Sequence, residues 1–276
     1  MELAARSYLF VPGNRPDRFA KACASGADAV IIDLEDAVPP TEKAKARAAV
    51  EAWVNPAQPV VLRINGVESD WFRDDLTCCR IPGIQAIMLP KTDGVEHLRQ
   101  LEERLGQSVP ILPLIETAQG FWNALEIARH RGVRRLVFGA IDFQLDVGIA
   151  GDSEELLYFR SQLVLVSRLA GLQAPVDGIN VAIDDVEQLR ADTQRARRLG
   201  FGGKLCIHPK QVASVNECFL PTPAEIAWAR RVLEAAGVAH GGAVAMDGQM
   251  VDRPVVLKAE RVLRESERGA RKPAGR

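Results

Sequence analysis

Pro110-Ile111-Leu112-Pro113-Leu114-Ile115-Glu116 and Leu136-Val137-Phe138-Gly139-Ala140-Ile141-Asp142 decide the fold of this chain. Each is a short apolar run that closes on a carboxylate its local pattern does not require. Between them, Ala118 to His130 carries Phe121, Leu125 and Ala128 at helical spacing, so the order reads strand, helix, strand. Repeated units of this kind set every strand's carboxyl end on one face of a parallel sheet. Glu116 and Asp142 are therefore expected together at that face.

Two carboxylates at close range repel unless a cation lies between them or one takes up a proton. Oxygen ligands with no cysteine or histidine nearby favour Mg²⁺ or Mn²⁺ over Zn²⁺. The competing reading makes both acids helix caps or solvated strand ends. Both readings stand on local pattern alone.

Outward from this stretch the same alternation continues. Tyr8–Val11, Ala29–Ile32, Pro59–Ile64 and Ala86–Leu89 precede it as apolar runs, and Pro175–Asp177 and Lys204–Ile207 follow it. Helical patterns fall at about Thr41–Trp53, Gly94–Leu105, Glu154–Ala170 and Asp184–Leu199, and Asn14 stands where it could cap a first helix. Eight short strands alternating with helices predict an α/β fold, a (β/α)₈ TIM barrel over residues 1–220. A C-terminal helical extension is expected over 221–267, with helices at Thr222–Ala236 and from Pro254 to about Glu265. The basic, glycine- and proline-containing tail 268–276 is expected to be disordered.

Composition narrows the function classes. The 276 residues carry 35 basic and 36 acidic side chains, a net charge of -1, which gives no electrostatic case for nucleic acid or an anionic membrane. No apolar run reaches a membrane span, and the N-terminus lacks a signal pattern. The five cysteines form no C-x-x-C pair, as expected of reduced thiols in a cytoplasmic protein. The four histidines lack H-x-x-x-H spacing, which argues against a zinc hydrolase.

Cations also sit at predicted strand ends. Arg63 could fork onto a substrate carboxylate or hold a developing oxyanion; equally, it could pair with Asp33, Glu35 or Asp36 and only neutralise the rim. Lys91 reads as a solvated or ion-paired lysine, and His208, before Pro209, as a hydrogen-bonded structural histidine or an acid/base. Asn14, Arg15 and Lys21 cluster in the first βα unit, a candidate phosphate-binding corner.

Six motifs then occur in order: Arg6-Ser7-Tyr8-Leu9-Phe10-Val11-Pro12-Gly13, Asp33-Leu34-Glu35-Asp36-Ala37-Val38, Arg63-Ile64-Asn65-Gly66, Leu89-Pro90-Lys91, Ile115-Glu116-Thr117 and Gly202 through Pro209. The set resembles the citrate lyase β-subunit-like family of CoA-thioester lyases, within the HpcH/HpaI aldolase superfamily and related to malyl-CoA and citramalyl-CoA lyases. The resemblance runs from Arg6 to about Glu260. It implies a Mg²⁺-dependent barrel that cleaves a 3-hydroxyacyl-CoA thioester to an acyl-CoA and a 2-oxo acid. It further implies Glu116 and Asp142 as metal ligands, Arg63 facing the 2-oxo acid, Asp252 as a catalytic aspartate, and Arg15 and Lys21 near the CoA phosphates. A homo-oligomer, often a trimer, is implied as well, with the C-terminal segment reaching a neighbouring subunit. The carrier could be CoA or an acyl carrier protein. The alternative within enzymes is a malate synthase or malyl-CoA thioesterase activity, and an alternative of another class is a non-catalytic metal- and thioester-binding subunit of a lyase complex. One departure stands out: where the family usually carries an acid before the second metal ligand, this chain has Ile141.

Overall fold

Strands covered on both faces must be apolar on both faces, and five consecutive buried residues in Ala29–Asp33 and again in Ile111–Ile115 meet that requirement. A computed structural model describes residues 5–106, 109–238 and 243–270. In it β1 (Ser7–Pro12), β2 (Ala29–Asp33), β3 (Val60–Arg63), β4 (Ile84–Leu89), β5 (Ile111–Ile115), β6 (Val137–Phe138), β7 (Val176–Asp177) and β8 (Gly203–Cys206) close into a parallel barrel in chain order. The register aligns Val11 with Ile32, Asp33 with Arg63, Arg63 with Met88 and Ile115 with Phe138. Tyr8, Ile31, Val61, Met88, Leu112, Val137, Val176 and Leu205 fill one buried cluster. The (β/α)₈ barrel expected from the alternation is the observed fold.

Twelve α-helices are described: α1 (Phe19–Cys23), α2 (Lys43–Trp53), α3 (Phe72–Asp75), α4 (Val95–Leu105), α5 (Ala118–Trp122), α6 (Ala124–Ala128), α7 (Ala140–Val147), α8 (Leu157–Leu169), α9 (Val186–Leu199), α10 (Pro209–Cys218), α11 (Pro223–Val238) and α12 (Arg253–Ala270). In α4 Leu98, Leu101 and Leu105 form one buried stripe, and Gly106 closes the helix at φ 66°. The single helix expected over Ala118–His130 is instead two. It breaks at Asn123, whose side chain leaves the helical surface to donate to the Asp93 carbonyl at 2.7 Å. Asn14 does not cap; its amide donates to Glu42 across the connection at 2.9 Å.

The barrel also buries charge. Asp177, at the end of β7, accepts from Arg160 Nε and from Lys204 Nζ, both at 2.9 Å, and all three side chains are almost wholly buried. Arg160 continues outward to Asp152 at 2.7 Å. Burial alone would push Asp177 upward, but Lys204 and Arg160 outweigh it and hold the carboxyl at about 2.

The chain divides into two compact units, Met1–Asn216 and Glu217–Arg276. Within the second, α11 and α12 share a core of Ala229, Val232, Val251, Ala259 and Val262. Between the two expected C-terminal helices stands an antiparallel hairpin, β9 (Val244–Met246) and β10 (Gln249–Val251). Asp247 and Gly248 turn it at φ 51° and 74°, the paired positive values that a two-residue Asp-Gly hairpin uses. The last helix runs to Ala270, so 268–270 of the expected tail are helical, and 271–276 lie outside the described residues. None of the five cysteines is in a disulfide, and among the described residues no helix is long and apolar enough to cross a membrane.

Candidate active site

Glu116 leaves the end of β5 directly and is 2% exposed. The expected strand ending at Asp142 is shorter than its apolar run suggested. It stops at Phe138, Gly139 turns the chain, and Asp142 stands in the first turn of α7. The reason is steric. A β-carbon on Gly139 would overlap the Glu116 side chain, so only a bare backbone can cross at this point. Two hydrogen bonds fix the crossing, Gly139 N to Ile115 O and Phe143 N to Gly139 O, each 3.0 Å. The turn brings Asp142 close enough to repel Glu116, and its place at a helix N-terminus suits a carboxylate.

Burial is the main reason that the Glu116 carboxyl is pushed up to about 8. Repulsion by Glu35 and Asp142 adds to it, and the Lys91 amide and Arg63 oppose it. The amide contact is short, Lys91 N to Glu116 Oε1 at 2.7 Å. Lys91 adopts φ 46°, a left-handed conformation that costs a lysine energy, and its Nζ donates to Glu35 Oε1 at 2.8 Å.

Arg63 meets all three acids named as its possible partners. Its Nε and Nη2 fork onto Asp33 at 2.7 and 2.6 Å, Nη1 lies 2.9 Å from Glu35, and Asp36 is 3.8 Å away. The Phe10 ring underlies the guanidinium at 4.7 Å. Asp33 also accepts the amides of Glu35 and Ala37, so it is the structural member of the acidic trio. Glu35 is raised by burial, with Arg63 and Lys91 working against that. Its Oε2 faces Arg63 without an aligned hydrogen bond, leaving a buried carboxylate oxygen with no hydrogen-bond partner.

A cavity of about 580 Å³ opens beside this group, with Glu35, Lys91, Thr117, Asn65, Trp71 and His97 in its wall. Among the described residues no three His, Cys, Asp or Glu side chains form a closed metal cage. Two carboxylates with open positions are nevertheless the donor set that Mg²⁺ takes, since it keeps several waters and uses one or two protein acids. The crowding that raises Glu116 is what a divalent cation relieves, so the residues fit such an ion.

The remaining expected residues make other contacts. Arg15 pairs with Asp17 at 2.7 Å on the surface, and Lys21 is exposed on α1. Asp252 belongs to the second unit, where its Oδ1 accepts from Val255 N at 3.3 Å at the head of α12. His208 accepts from the Lys210 amide at 3.2 Å, a structural contact. Ile141 is 44% exposed beside Asp142. Gly139 reads from the sequence as a strand–loop glycine suited to close backbone approach, and the close neighbour is Glu116. Sequence reading missed Glu35 as the acid shared by Arg63 and Lys91, and the Lys91 amide as a donor to Glu116.

Comparison with known proteins is consistent across sequence and structure. The model of the family HpcH/HpaI aldolase/citrate lyase matches residues 6–209. A citrate lyase subunit beta-like protein of Deinococcus radiodurans is 42% identical, over 94% of this chain and 96% of that one. A (3S)-malyl-CoA thioesterase of Cereibacter sphaeroides is 36% identical, over 95% and 94%. The crystal structure of protein CitE from Mycobacterium tuberculosis in complex with magnesium, acetoacetate and coenzyme A superposes with a TM-score of 0.87 at 33% identity, covering 97% of this chain and all of that one.

Proposed function

Because this chain belongs to the HpcH/HpaI aldolase/citrate lyase family, we propose that it is a Mg²⁺-dependent carbon–carbon lyase that cleaves a 3-hydroxyacyl-CoA thioester, of citryl- or malyl-CoA type, to an acyl-CoA and a 2-oxo acid. The observation that carries the proposal is the buried Glu116, crowded by Asp142 and Glu35 at the barrel mouth next to a substrate-sized cavity. The magnesium, acetoacetate and coenzyme A held by the similar CitE structure support it.

In this reading Glu116 and Asp142 hold the divalent ion, with Mn²⁺ as a possible substitute. When bound, such an ion acidifies the substrate hydroxyl and fixes its geometry against the neighbouring carboxylate. Arg63, already oriented by Asp33, turns its charge toward the 2-oxo acid half and steadies the oxyanion that develops there. Transfer of the hydroxyl proton to solvent lets that oxygen become the ketone as the carbon–carbon bond breaks. The electron pair passes to the carbon beside the thioester carbonyl as an enolate, and Asp252 shuttles a proton from solvent to that carbon. Asp252 acts from a neighbouring copy in a homo-oligomer, a trimer being the expected form, with the segment after residue 220 reaching across. Arg15 and Lys21 meet the carrier's phosphates, whether CoA or acyl carrier protein, and a cytoplasmic setting accords with this chemistry.

A second reading, hydrolysis of the thioester, is favoured by the similarity to the malyl-CoA thioesterase. A Mg²⁺-dependent assay on citryl-, malyl-, methylmalyl- and citramalyl-CoA separates the two when 2-oxo acid and free CoA are followed independently. The lyase reading expects 2-oxo acid with acyl-CoA and no free thiol. Free CoA in step with turnover would replace it by hydrolysis, and silence across the panel would overturn both.

A further inference from the structure

Lys91 follows Pro90 at the end of β4 and holds φ 46°; besides Asp247 in the hairpin turn, no other non-glycine among the described residues has a positive φ. A glycine would take this conformation without strain. Three contacts use the lysine as it stands. Its amide donates to Glu116 Oε1 at 2.7 Å, its ammonium donates to Glu35 Oε1 at 2.8 Å, and its carbonyl faces His97 Nδ1 at 3.2 Å. Since the other oxygen of Glu35 lies against Arg63, a continuous chain runs Asp33–Arg63–Glu35–Lys91–Glu116. Half of the Lys91 side chain is exposed, and it forms part of the cavity wall.

We propose that Lys91 is a positioning residue that sets the balance between cation binding at the Glu116–Asp142 pair and anion binding at Arg63. The inference rests on the functional reading above. The ammonium shares the charge of Glu35 with Arg63. Without it, Glu35 draws on Arg63 alone, and the guanidinium is less available to a substrate carboxylate. Glu116 would also face an unshielded Glu35, a repulsion that a divalent cation relieves. Loss of the ammonium therefore moves the two affinities in opposite directions. A lysine that only supported the loop would weaken both together, because a disordered site loses both ligands.

The test uses Lys91→Met and Lys91→Gly in the full chain, with Mn²⁺ affinity read by electron paramagnetic resonance and pyruvate affinity by calorimetry at saturating Mn²⁺. Glycine keeps the amide and suits the backbone, so it covers the case in which the methionine variant does not fold. The expected result is Mn²⁺ bound roughly three- to tenfold more tightly and pyruvate about tenfold more weakly, as loss of one nearby positive charge requires. Lys91→Arg, which keeps the charge, should bring both constants back toward the parent values. Both affinities falling together, neither moving, or arginine failing to restore them would overturn the proposal. If the unsubstituted protein bound no Mn²⁺, the functional reading itself would fall and take this inference with it.

Discussion

No β-carbon fits at Gly139: it would lie 2.5 Å from the β-carbon of Glu116 and closer still to the carboxylate. The backbone there, at φ -88° and ψ 72°, is open to other residues, so the constraint is one of volume and not of dihedral angle. Gly139→Ala should leave the barrel folded yet displace Glu116. Mn²⁺ affinity should fall about tenfold or more, as metal sites do when a ligand's orientation is disturbed, and the melting temperature should fall by several degrees, the cost of overpacking a buried site. An unaltered Mn²⁺ affinity would remove Glu116 from the proposed ion site.

Arg63→Lys tests the fork on Asp33. A lysine can reach one oxygen of Asp33 but cannot fork onto it and also meet Glu35. One buried acid is then left short of a partner, at a cost of about 3–5 kcal/mol where a buried pair is broken outright and less where one contact survives. Thermal melting should register that loss, and kcat/KM should fall by roughly a hundredfold or more. Wild-type kinetics in a destabilised variant would make Arg63 a purely structural ion.

Glu116 supplies a pH dependence. Its folded-state value, about 8, lies above the ordinary 4.5, so the metal-free carboxyl is protonated at neutral pH and ionises at a cost as pH rises through 8. Divalent ions bind the ionised form. Mn²⁺ affinity should therefore climb roughly tenfold per pH unit below 8 and level off above it, with about one proton released per ion bound at pH 7. The stability consequence runs the opposite way with pH: the metal-free parent loses stability as pH rises from about 4.5 to about 8, so Glu116→Gln should melt several degrees above it at pH 9 and together with it at pH 4. A flat affinity profile between pH 6 and 8 would contradict the burial argument.

Asp252→Asn separates chemistry from binding. The proposed proton transfer needs an ionisable group, whereas the cap on Val255 N needs only an oxygen acceptor, which asparagine keeps. Cleavage should drop by a hundredfold or more while Mn²⁺ and pyruvate affinities hold. Unchanged turnover would end the assignment.

The sequence was most legible where one physical rule acts alone. Ile111–Ile115 could be read to the residue because a strand covered on both faces must be apolar throughout. Glu116 was legible for the related reason that a carboxylate ending such a run has no local cause. The second run misled at Gly139, since Ala140 and Ile141 are apolar for a helix as much as for a strand. What decided between them was the volume of Glu116, a side chain from another strand. Asn123 was hidden in the same way, its break fixed by a carbonyl thirty residues away, Asp93. The Asp247-Gly248 hairpin, by contrast, carried a local signal. The partners of Arg63 were named in advance, but their division of labour depends on distances that no spacing encodes.

The Arg160–Asp177–Lys204 triad has a consequence for how the molecule comes apart. β6 and β7 are two residues long, so this flank of the barrel has few ladder hydrogen bonds, and charge serves in their place. Because Asp177 is held at about 2, below its ordinary value, its contribution is present in full above pH 4 and is lost as pH falls through about 2. Acid should then act like a zip on one seam. Hydrogen exchange near pH 2 is expected to open β6 through β8 while β1 through β5 stay protected, leaving a barrel that has become an open sheet and still carries Glu116 at its free edge.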